Sequence, residues 1–238
     1  MPNACLQLSW DLARRVCCAA KSKIVQALSL RFHHYYLPLD LLSWTEIRAW
    51  SDKPELKGEC TMKVLALIGS PRKGGNTDIV VQRILQGCQK SGHTCEKLYL
   101  YDCEISPCVD CRRCKTDDFR CAIKDGMQVI YPKMAAADAI IFGTPIYWYG
   151  PTGKMKLLID RMRPFIASKK LIGKRGVVVA PSEEGPKACR ALLEMFRMSF
   201  DYLGMQYAGD ILPAAYEKGA VAGDQDVLTR AYELGSSL

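Results

Sequence analysis

Residues 62–77, MKVLALIGSPRKGGNT, decide how the rest of the chain is read. The first eight form an apolar run of strand length. Gly69, Ser70 and Pro71 break it, and TDIVVQRILQGCQKSG (77–92) then returns apolar residues at helical spacing. A buried strand that passes through a short loop into an amphipathic helix is the opening unit of an alternating α/β fold.

The unit repeats downstream. CEKLYLYD (95–102), ADAIIFGTP (137–145), KRGVVVAP (174–181) and MQYAGDILP (205–213) read as four further strands. Between and after them lie helical patterns: DGMQVIYPKMAAA (125–137), interrupted or kinked at Pro132, then GKMKLLIDRM (153–162), PKACRALLEMFRMSFDYLG (186–204) with Pro186 near its start, and DQDVLTRAYELG (224–235). The strands are too uniformly apolar for one face to be wet. They therefore predict a doubly wound five-stranded parallel sheet with helices on both faces, over residues 62–238. Residues 1–61 hold three of the four Trp and no strand–helix alternation. They read either as a small helical appendage or as an extension ahead of a natural start at Met62. The second is favoured because everything downstream of Met62 is self-sufficient, and His33 and His34 are read as surface residues.

Composition excludes several classes. A net charge of +8 would permit an acidic partner, but Lys and Arg alternate with Asp and Glu and form no dense basic run, so no nucleic-acid partner is expected. No window approaches 18 consecutive apolar residues, and residues 1–30 lack the layout of a secretory signal. Twelve Cys in such a chain point to thiol, metal or redox chemistry in a reducing cytoplasm rather than to a secreted disulfide framework.

Two loops follow strand ends. GSPRKGGNT (69–77) places Ser70 and Thr77 hydroxyls, Arg72, Asn76 and a helix N-terminus where an anion can bind. It is not a Walker A loop, because Gly75 and Asn76 stand where Lys and Ser/Thr belong, and it is not GxGxxG. Alone it is equally a plain turn with Thr77 as helix cap. GTPIYWYGPTGKMK (143–156) carries three consecutive aromatics, which cannot all enter one core as helical neighbours do. In strand order 2-1-3-4-5 the two loops meet at the switch point, and a phosphate cradle beside a flat aromatic loop suits FMN. A core-capping aromatic loop is the alternative.

CVDCRRCKTDDFRC (108–121) sets Cys108, Cys111, Cys114 and Cys121 at gaps of two, two and six residues, with Arg112, Arg113, Lys115 and Arg120 among them. Two-residue gaps bring several thiolates to one cage, as an iron–sulfur cluster requires. Zinc more often uses two separated pairs, and a disulfide is the third possibility. Cys103 lies outside this pattern, and Cys88, Cys95 and Cys189 read as core residues.

GSPRKGGNT, PCVDCRRCKTDDFRCAIKDGM and GTPIYWYGPTGKMKLLIDR together resemble the NADPH-dependent FMN reductase family of the flavodoxin-like fold, and the Cys segment is similar to its iron–sulfur flavoprotein branch. The resemblance implies that Ser70, Arg72, Asn76 and Thr77 hold the FMN phosphate, and that Pro145, Ile146, Tyr147 and Trp148 line the ribityl chain and ring. Ser182 and Gly185, in APSEEG, would approach the other ring edge. Cys108, Cys111, Cys114 and Cys121 of the 103–121 loop would hold a 4Fe-4S cluster. Asp160 and Arg161 are read as structural, and Gly126 departs from an acidic residue common in the family. The implied function is an FMN-dependent oxidoreductase passing electrons between NAD(P)H or a reduced carrier and an acceptor, either a small molecule or a ferredoxin-like carrier, as a homodimer or higher homo-oligomer, with no side-chain nucleophile or base. A cluster-free flavin or quinone reductase, a flavodoxin-like carrier and a thiol redox sensor are the alternatives.

Overall fold

The computed structural model describes residues 61–116 and 118–238, so the readings made for residues 1–60 lie outside it. In chain order it shows β1 (Lys63–Ile68), α1 (Asn76–Lys90), β2 (Thr94–Tyr99), α2 (Met127–Ala136), β3 (Ala139–Gly143), α3 (Gly153–Asp160), α4 (Pro164–Ser168), β4 (Arg175–Val179), α5 (Arg190–Leu203), β5 (Gln206–Ile211) and α6 (Gln225–Ser236). The strands form one parallel sheet in the order β2-β1-β3-β4-β5. This is the flavodoxin-like doubly wound arrangement, and it places the loops after β1 and β3 side by side.

Alternation along each strand divides the core. Val64, Ala66 and Ile68 of β1 pack with Ile141, Val177 and the inward faces of α1 and α6. Leu65 and Leu67 pack on the other face with Phe142, Val178 and residues of α2, α3 and α5. Both faces are thus covered, which is why the central strands read as unbroken apolar runs.

The structure corrects some local readings. β2 ends at Tyr99 and gives way to a 3₁₀ turn at Leu100–Asp102, and as an edge strand it is only half-buried, so Cys95 packs against the core from its margin rather than inside it. α2 continues through Pro132, which together with Gln128, the residue whose carbonyl loses its partner, faces solvent. The helical pattern from Pro186 resolves into a 3₁₀ turn at Gly185–Lys187 followed by α5 from Arg190. Among the described residues no helix is long and apolar enough to cross a membrane.

Candidate functional site

The N-terminus of α1 is open. Its cap position is Gly75, not Thr77, and no side chain caps it. Ile79 N–H is the first to reach a helical carbonyl, that of Gly75, which leaves the N–H groups of Asn76, Thr77 and Asp78 at the helix mouth. An uncapped first turn with a positive dipole end is what a phosphate requires. Asp78 fixes the loop from behind: its carboxylate accepts from Gly74 N (2.8 Å), Tyr99 Oη (2.7 Å) and Lys97 Nζ (3.0 Å). Burial pushes its pKa up, but these donors prevail and hold it below the usual carboxylate value.

Ser70, Arg72, Asn76, Thr77, Pro145, Ile146, Tyr147 and Ser182 line one cleft, as the sequence places them. Trp148 and Gly185 do not join them there. Gly185 is buried, and its carbonyl accepts from Ser182 Oγ (2.9 Å), so it shapes the wall from behind. Trp148 is 97% exposed at the tip of a turn in which Tyr147 and Gly150 exchange backbone hydrogen bonds of 2.9 and 3.0 Å. Trp148 and Tyr149 both adopt left-handed φ, 50° and 60°, the geometry of a type I′ turn, which favours Asn-Gly. Such residues cost on the order of 1–3 kcal/mol each. Trp148→Asn combined with Tyr149→Gly should therefore raise stability by roughly 1–3 kcal/mol, measured by urea unfolding.

The loop after β5 supplies a wall that motif reading missed. Tyr216 and Lys218 line the cleft, and Asn76 ties their loop down by donating Nδ2–H to Glu217 O (2.8 Å) and accepting from Val221 N (3.3 Å). The signal was available: in a doubly wound sheet, every loop at the carboxyl ends of the strands near the switch point can reach the ligand. The donors at the helix mouth, the Arg72 and Lys218 cations and the Tyr147 and Tyr216 rings fit a phosphorylated planar group such as FMN.

α3 connects this cleft to the cysteines. Thr152 caps its N-terminus, accepting from Met155 N and donating Oγ1–H to Gly69 O at 2.5 Å. Arg161, immediately after its last residue, is 1% exposed and pinned among the segments flanking the cysteines. Arg161 Nη1 donates to Ser106 O (2.7 Å) and Asp125 Oδ2 (2.8 Å), and Nη2 donates to Ile123 O (3.4 Å) and Asp125 Oδ1 (3.1 Å). Asp125 also accepts from Ser106 N and Met127 N. The two ends of the Cys loop are therefore clamped together. Gly126 belongs to the same junction: its N–H donates to Glu104 O, and a Cβ there would stand 2.7 Å from that oxygen. Close backbone approach is a physical reason for Gly rather than an acidic side chain.

Cys108, Cys111, Cys114 and Cys121 line a single cavity with Arg112, Arg161 and Arg163. Arg113, Lys115 and Arg120 are exposed and lie outside that wall. All four thiols are free. Burial pushes the Cys114 thiol up, Arg163 pulls against it, and Cys121 and Cys108 add to the rise, so these groups feel one another. Asp110, held below its usual pKa chiefly by Arg163, ties that arginine at 2.5 Å. Among the described residues, no three His, Cys, Asp or Glu side chains converge closely enough to hold a single metal ion. Four thiols lining one cavity supply the donor set that a 4Fe-4S cluster would need, one thiolate for each iron.

A family model described as NADPH-dependent FMN reductase matches residues 62–218. An iron–sulfur flavoprotein of Methanocaldococcus jannaschii is 34% identical over 162 residues, covering 68% of this chain and 83% of that protein. An iron–sulfur flavoprotein of Archaeoglobus fulgidus is 29% identical over 181 residues, covering 74% and 79%. The solved structure of Trp repressor binding protein from Bacillus subtilis superposes with a TM-score of 0.56 at 28% identity, covering 72% of this chain and 98% of that one. With its fold, its cleft and this match over most of the described residues, the chain belongs to the NADPH-dependent FMN reductase family, on the branch of the iron–sulfur flavoproteins, and is an NAD(P)H-dependent FMN oxidoreductase.

Proposed function

We propose that this oxidoreductase couples FMN in the Ser70–Lys218 cleft to a 4Fe-4S cluster on Cys108, Cys111, Cys114 and Cys121, and passes electrons from NAD(P)H to a one-electron acceptor. The observation that carries the reading is the cavity shared by the four thiols, on a loop whose two ends are clamped at the far end of the helix that Thr152 ties to the phosphate loop. That helix has eight residues, which at 1.5 Å each sets its length at about 12 Å. FMN supplies hydride acceptance and single-electron release, which lets one site serve both donor and acceptor.

The chain's residues do the holding. Ser70, Thr77 and the α1 N–H groups bind the phosphate, Arg72 and Lys218 balance its charge, and Tyr147 and Tyr216 flank the planar group. Asp125 and Arg161 position the Cys loop. The acceptor is a small molecule or a ferredoxin-like carrier. The free thiols support residence in a reducing cytoplasm, and the family resemblance supports a homodimer.

Anaerobic purification with flavin, iron and acid-labile sulfide assayed together tests this. The expected result is one FMN and about four irons and four sulfides per chain, with NAD(P)H oxidised on adding an acceptor. Cys114→Ser should lose the iron and keep the flavin. Flavin without iron or sulfide in the wild-type protein would leave a cluster-free reductase, and absence of flavin would sink the reading altogether.

A further inference from the structure

The Arg161 guanidinium has five N–H donors. Four are spent on Ser106 O, Ile123 O and the two oxygens of Asp125. The fifth, on Nε, is buried and has no acceptor among the described residues. Asp125 cannot take it, because each of its oxygens already accepts one guanidinium N–H and one backbone N–H. The clamp is thus complete without Nε. A desolvated donor left over beside a finished network calls for an acceptor from outside the chain. Arg161 stands in the wall of the cavity lined by Cys108, Cys111, Cys114 and Cys121.

We propose that Arg161 Nε–H donates a hydrogen bond to a sulfur of the cluster and thereby raises its reduction potential, an inference that rests on the cluster reading above. The sulfides and cysteinates of such a cluster are anionic acceptors, and hydrogen bonds to them are among the levers that set its potential. When the cluster gains one electron its sulfurs become more negative, so a cationic donor stabilises the reduced form more than the oxidised one. Arg161 is a positioning residue that also tunes the group it positions.

The test is an anaerobic redox titration of the loaded protein with dithionite, followed by electron paramagnetic resonance of the reduced cluster. Arg161→Lys keeps a positive charge and removes Nε. Cluster reduction should become about tenfold less favourable, a fall of about 59 mV for one electron. Asp125→Asn loosens the same clamp but retains Nε and removes a negative charge, so its potential should stay or rise. No fall in Arg161→Lys, or an equal fall in both variants, overturns the inference. If either variant loses its iron, the wild-type protein grown with ¹⁵N-arginine gives the answer. A ¹⁵N coupling to the reduced cluster that persists in Arg163→Lys supports the bond, and no such coupling overturns it. Wild-type protein with neither iron nor sulfide removes the cluster reading and this inference with it, whereas a normal cluster with an unshifted Arg161→Lys potential removes the inference alone.

Discussion

Asp125→Ala should destabilise the fold by about 3–5 kcal/mol, the range for removing one partner of a buried ion pair. The side chains of Arg161 and Asp125 are 1% and 6% exposed, so alanine leaves a buried guanidinium with neither carboxylate nor water. It also removes the acceptor for Ser106 N and Met127 N, so the Cys loop loses its base as well as its charge balance. Urea unfolding of wild type and variant would measure the loss. The effect depends on pH in a definite sense. Burial works to raise the Asp125 pKa, but hydrogen bonds from Arg161, Ser106 N and Met127 N outweigh it and hold the carboxyl below its usual value. The contribution is fully present above the unfolded carboxyl pKa of about 4 and is lost as pH falls through the lower folded value. The stability gap between wild type and Asp125→Asn, which cannot ionise, should therefore narrow in acid below about pH 4.

Gly235→Ala should have an effect of similar size by a different route. α1 and α6 cross so closely that a Cβ at Gly235 would lie 1.9 Å from Ile84 O, and one at Gly87 would lie 2.1 Å from Tyr232 O. The obstacle in each case is backbone, so no rotamer change relieves it and the helices must part. Alanine's better helix propensity returns about 1 kcal/mol. The separation opens a core shared by Val80, Ile84, Val227 and Ala231, and should exceed the roughly 1–3 kcal/mol usual for overpacking. Because the helix mouth proposed to hold the phosphate lies at the other end of α1, flavin affinity should fall too. A fluorescence titration with FMN alongside unfolding would show both losses, and a variant with unchanged unfolding would contradict the close crossing.

The parts of this molecule that could be read from sequence are those set by local pattern. The apolar runs of β1, β3 and β4 are unbroken because helices cover both faces of the sheet, and that pattern placed them. Ser70, Thr77 and Tyr147 stand on loops that the topology brings together at the switch point, so finding the loops was enough. Pattern fails where the partner is remote or the backbone decides. Asp125 looked like part of a helix start, and only its meeting with Arg161, 36 residues away, makes it the clamp of the Cys loop. Lys218 lacked a motif, since its place in the cleft comes from Asn76 tying down its loop. Trp148 matched the aromatic pattern, but the left-handed turn carries it outward from the cleft.

The eight residues of α3 also act as a ruler. A tether of loose chain would tolerate insertions and let its ends drift, but a helix adds 1.5 Å and about 100° of rotation with every residue. One residue added to α3 would swing Arg161 away from Asp125 while Thr152 stayed on Gly69. The spacing of the two sites can therefore change only in near-whole turns. Point substitution along α3 has little leverage over that distance, and descendants of this chain inherit it with the helix.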